Sequence, residues 1–113
     1  MSENTNLTIA LDNAIDLFNN NNLNECIEQL EEILTIHSTN LEALNMLLDI
    51  NIKINKAAEA LKIIKKLIRL DPNKKEHQEK LIKLHQFLND EQAYQSALIE
   101  FHKNFPSIQT ARI

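Results

Sequence analysis

At 113 residues, with 43% apolar and 25% charged residues, the chain is expected to form one domain with a modest core. A net charge of −4 offers nucleic acid no general attraction, and the one cysteine, Cys26, excludes an internal disulfide and fits a reducing compartment. The start "MSENTN" lacks the layout of a signal peptide and no apolar run approaches the ~18 residues of a membrane span, so a cytoplasmic protein with no membrane contact is expected.

In chain order, apolar spacing predicts helices near 7–19, 23–36, 41–53, 57–70, 75–88 and 91–104. The first carries Leu11, Ile15 and Phe18 on one face. The second carries the stripe Leu23, Cys26, Ile27, Leu30, Ile33 and Leu34, and the fourth repeats it as Ala57, Ala60, Leu61, Ile64, Leu67 and Ile68. The sixth presents Ala93, Tyr94, Ala97, Leu98 and Phe101. After Pro106 the stretch "SIQTARI", with Ile108, Ala111 and Ile113, reads as a short C-terminal helical stub. No stretch alternates as a half-buried strand would, so the fold class is all-α.

Each residue of the second stripe lies 34 positions after its counterpart in the first. Asn21, Asn55 and Asn89 keep the same interval before helices, and Ser38, Pro72 and Pro106 keep it after them. Thr5, Thr39, Asn73 and Ser107 keep it too; all are good N-cap residue types, and Thr39/Glu42 and Asn73/Glu76 have capping-box spacing.

A 34-residue unit of two helices resembles the tetratricopeptide repeat. The strongest piece is "AAEALKIIKKLIRLDPN", with Ala60 at the family's small position and Pro72 at its closing proline. Cys26 holds the small position in repeat 1, whereas Tyr94 falls there in repeat 3, and His85 takes a usually apolar place. The resemblance covers repeats 5–38, 39–72 and 73–106, and implies a right-handed α-solenoid of three repeats. The family's turn glycines are missing, because the chain has no glycine. Asparagine is the next residue most tolerant of a left-handed conformation, so Asn21, Asn55 and Asn89 are read as glycine substitutes.

Charge is segregated. Met1–Ile52 holds nine carboxylates (Glu3, Asp12, Asp16, Glu25, Glu28, Glu31, Glu32, Glu42, Asp49) and no Lys or Arg, while Lys53–Lys83 holds ten basic and four acidic residues. Lys62, Lys65, Lys66 and Arg69 could form a nucleic-acid patch. The 34-residue offset from Glu28, Glu31 and Glu32 to Lys62, Lys65 and Lys66 favours acid–base pairing between repeats instead, each exposed pair worth ~0.2–1 kcal/mol.

Nothing in the sequence assembles a catalytic, cofactor or metal site. Phosphate loops need glycine for close backbone approach. Cys26 sits in an apolar stripe, where an inert buried thiol is expected. His37, His77, His85 and His102 have no Cys or carboxylate at ligand spacing and read as surface or helix-end histidines.

Binding remains. The resemblance implies that the first helix of each repeat lines a groove holding a peptide or helix of a partner protein. The expected groove residues are Leu11, Ile15 and Phe18, then Asn45, Asp49 and Ile52, then Lys83 and Phe87. Leu11, Ile15 and Phe18 suit either an apolar ligand or the core, and both readings stay open. The chaperone-tail clamp of the family is not kept: its positions carry Leu11, Ile15, Met46, Glu76 and Lys80, of which Lys80 alone is basic. The resemblance thus implies a non-catalytic adaptor or small chaperone-like protein; the alternative is the N-terminal repeat region of a larger enzyme such as a glycosyl- or sulfotransferase. Apolar residues Tyr94, Leu98, Phe101 and Ile108 near the end of the array are expected to drive self-association as a homodimer.

Overall fold

The computed structural model describes residues 3–106. It contains six helices in chain order: α1 (Glu3–Asn19), α2 (Leu23–Ile36), α3 (Leu41–Lys53), α4 (Ala57–Leu70), α5 (Lys75–Phe87) and α6 (Glu91–Asn104), with no strand among the described residues. The bounds follow the apolar stripes closely. The main difference is α1, which begins at Glu3 because no proline or glycine interrupts the chain there, and so takes Thr5 into the helix. The expected stub, including Ser107 and Ile108, lies outside the described residues.

The asparagine reading holds at all three turns. Asn21, Asn55 and Asn89 have φ of 61°, 63° and 58°. Each turn also has the same hydrogen bonds. Asn21 N–H donates to Phe18 O and Asn22 N–H to Leu17 O; Asn55 to Ile52 O and Lys56 to Asn51 O; Asn89 to Gln86 O and Asp90 to His85 O. This is a Schellman ending with asparagine where glycine usually sits. The run Asn19–Asn22 is therefore a structural turn: it supplies the last residue of α1, the left-handed residue and the entry to α2.

The capping expectation is corrected by one residue. The N-cap of α3 is Asn40, whose Oδ1 accepts from Ala43 N–H at 2.8 Å, and that of α5 is Lys74; Thr39 and Asn73 each lie one position earlier. The reason is turn closure. Asn40 N–H bonds to His37 O and Lys74 N–H to Asp71 O, so a four-residue turn must finish before either helix starts. Ser38 and Pro72 occupy the second position of these turns, where proline is favoured. Lys74 has no acceptor, and α5 begins without a side-chain cap bond.

The helices form two compact units, Met1–Lys56 and Ala57–Ile113. In the first, α2 packs against both α1 and α3. Its core is Leu11 and Ala14 from α1, Cys26, Leu30 and Ile33 from α2, and Ala43, Leu44, Leu47, Leu48 and Ile50 from α3. The buried polar residue there, Asn51, donates to Leu47 O at 2.9 Å. In the second unit α5 packs against both α4 and α6. Ala57, Ala60, Ile64 and Leu67 of α4 and Leu84 of α5 are buried with His77, Gln78 and His85, and no α6 residue is fully buried.

Candidate binding surface

The α1 stripe changes character along its length. Leu11 is 9% exposed and belongs to the core, Ile15 is 38% exposed, and Phe18 is half-buried. On α3, Asn45 is half-buried and bonds back to Leu41 O, Asp49 is exposed, and Ile52 is 40% exposed. The C-terminal ends of α1 and α3 meet through Lys53. Its Nζ lies 5.8 Å from the Phe18 ring centroid and donates to Asn21 Oδ1 at 3.4 Å. A cation over an aromatic face contributes ~0.5–1 kcal/mol at an exposed site. Phe18 of α1 thus lies beside a positioned ammonium from α3, with the exposed Ile15 one turn before Phe18 on α1 and the exposed Asp49 one turn before Lys53 on α3.

The small position of repeat 1 explains why α1 and α2 approach so closely. Cys26 is fully buried, and its thiol donates to Ala14 O at 3.2 Å and lies 3.9 Å from Met46 Sδ. Burial pushes the thiol pKa up, away from the thiolate a nucleophile requires. Cys26 acts here as a small apolar residue with one satisfied donor.

In the second unit, Lys83 is exposed on α5, and Phe87 in its last turn is 63% exposed. Lys83 and Phe87 are four apart on one helix face. On α6, Tyr94, Leu98 and Phe101 are all half-buried and Ile99 is exposed. Phe101 stacks edge-on with His102, packs against Phe105, and has Lys75 Nζ 5.9 Å from its ring.

Of the histidines expected at the surface or at helix ends, two lie at helix ends but not at the surface. His77 and His85 are buried on α5. Burial is the main force holding both below the ordinary imidazole value, with Lys65 adding to the effect at His85 and Asp90 opposing it. His85 Nδ1 finds no hydrogen-bond partner among the described residues. The sequence signal was available: His77 and His85 fall 34 positions after Ala43 and Asn51, which are buried. Among the described residues no group of three His, Cys, Asp or Glu could hold a metal ion, and no helix is long and apolar enough to cross a membrane.

No family model matches the sequence, and no curated protein matches it. Solved structures do. A crystal structure of MamA protein superposes with a TM-score of 0.77 at 21% identity, covering 87% of this chain and 54% of that one. A second crystal structure of MamA gives 0.74 at 18% identity, covering 92% and 61%. The chain thus spans less than two thirds of the chains it resembles. At these identities the likeness establishes the fold: all-α, a helical repeat of the α-solenoid class.

Proposed function

We propose that this chain is a non-catalytic protein–protein interaction module of the tetratricopeptide type, an adaptor or small chaperone-like protein that holds a peptide or helix of a partner. The observation that carries the reading is the exposure of apolar side chains on first helices of a helical-repeat fold: Ile15 of α1 and Ile52 of α3, beside half-buried Phe18. A groove that holds a partner helix needs exposed apolar side chains on its wall, and these residues supply them. Lys53 over Phe18 would face a carboxylate of the ligand, and Asp49 a basic residue. The three repeats, 5–38, 39–72 and 73–106, would each contribute a first helix, with Asn45 on α3 and Lys83 and Phe87 on α5. A reducing, cytoplasmic setting suits the buried thiol. Self-association as a dimer through Tyr94, Leu98 and Phe101 completes the proposal: these side chains are half-exposed on a helix that buries none of its residues fully.

The direct test is proximity capture in native cells with the wild-type chain and with Ile15→Asp. A partner bound through this face disappears with the variant while helicity is kept; a partner set unchanged by Ile15→Asp and Phe18→Asp rejects the face. Sedimentation equilibrium tests the dimer, which Leu98→Lys should dissociate; a wild-type chain that stays monomeric at micromolar concentration rejects it.

A further inference from the structure

Ile36, in the last turn of α2, is 74% exposed. On one side it borders a hollow of about 220 Å³ walled by Leu7 and Ala10 of α1 and by Ile33 of α2, with Glu32 at its margin. On the other side it borders a broader hollow that reaches Leu41 and Glu42 at the start of α3. Leu41 is 40% exposed. Apolar side chains here stand in water although the neighbouring core of the same unit is closed.

We propose that this edge of the first unit docks a basic amphipathic helix of a partner protein, an aliphatic side chain entering the α1–α2 hollow and Lys or Arg residues lying against Glu32 and Glu42. The site is separate from Ile15 and Phe18 and does not rest on the groove reading. Three observations select this occupant. The α1–α2 hollow, at about 220 Å³, is smaller than the ~300–1,000 Å³ typical of small-molecule sites and fits one side-chain anchor of a docked helix, and the broader hollow beside it, about 670 Å³, gives the rest of that helix room. Every charged side chain from Met1 to Ile52 is a carboxylate, so no cation of this segment competes for Glu32 or Glu42 and a basic partner is attracted from a distance. The C-terminal end of α2, at the rim, has no Lys or Arg in its last turn; His37, its C-cap, lines both hollows. The negative end of the α2 dipole is left for an incoming cation.

The probe is a fluorescein-labelled peptide of leucine and lysine alone, about five helical turns long, with leucine at helical spacing. Its partners in the assay are a leucine/glutamate peptide of the same pattern and a lysine/serine peptide of equal charge. Anisotropy should show binding of the leucine/lysine peptide only, weakened about tenfold or more by Ile36→Lys and by Glu32→Lys with unchanged helicity, and unaffected by Ile15→Asp. Ile36 is exposed enough for its replacement to leave the fold intact. Absence of binding, equal binding of either control peptide, or indifference to Ile36→Lys overturns the proposal. So does loss of binding in Ile15→Asp, which would return the peptide to the groove. Self-association that Ile36→Lys abolishes also overturns it, since the occupant would then be a second copy of this chain.

Discussion

The two units draw on the same 34-residue register but differ in make-up and in core: the first packs first helices α1 and α3 against α2, and the second packs second helices α4 and α6 against α5. Ala43 and Leu44, both buried in the first unit, become His77 and Gln78 34 positions later, also buried. Cys26 and Ala60, fully buried at the small position, become Tyr94, which stays half-buried. The apolar residues of α6, which packs against α5, remain half-exposed, while α2, packed against both α1 and α3, buries Cys26, Leu30 and Ile33. Helical periodicity is enough to form the helices of a repeat, and the residues at a few contact positions decide how tightly they close.

The largest effect should come from cutting the closed core. Leu30 is fully buried, so Leu30→Ala should destabilise the protein by about 2–5 kcal/mol in urea denaturation. Leu98→Ala, at a half-buried site on α6, should lose much less; equal losses would mean that α6 is packed as tightly as α2.

Acid should separate the units next. In the unfolded chain His77 and His85 take up protons near the ordinary 6.5, and in the folded chain burial holds both lower. Unfolding therefore takes up protons below about pH 6.5, so the stability that these neutral histidines contribute to the second unit is fully present above that value and is lost as pH falls. The groups acting with the burial are Lys65 at His85 and Lys80 and Lys74 at His77; Asp90, Asp71 and Glu76 oppose it. Hydrogen exchange near pH 5 should accelerate in α5 and α6 more than in α2. His85→Leu should reduce that difference and remove an unpaired buried nitrogen, a feature that usually costs about 1–3 kcal/mol.

The turns should respond alike in both units. Asn55→Gly should be neutral or slightly stabilising, and Asn55→Val should cost about 1–2 kcal/mol, because a β-branched residue resists φ of 63°. Thermal melts of Asn89→Gly and Asn89→Val should show the same order.

The smallest effect concerns the helix entrances. Asn40→Ala should cost about 1 kcal/mol by removing the bond to Ala43 N–H, whereas Thr39→Ala should change little. At the uncapped entrance of α5, Lys74→Asp should stabilise by a few tenths to about 1 kcal/mol. A melting curve that moves with Thr39 and not with Asn40 would restore the original capping-box reading.

The sequence by itself determined the six helices, the 34-residue repeat and the three left-handed asparagines. The helices and turns depend on residues within a turn or two of each other, the repeat shows as the same local pattern recurring every 34 positions, and the chain offered no glycine as a rival for the positive-φ positions. Only the tertiary structure decided that Leu11 is core while Ile15 is exposed, although both lie on one helical stripe. It also decided that His77 and His85 are buried, that Lys53 lies over Phe18, and that Ile36 stands beside a hollow. Periodicity specifies which residues share a face of a helix. How much of that face is covered depends on where the neighbouring helix ends and how large its contact residues are, and that information lies in other elements, a dozen or more positions away.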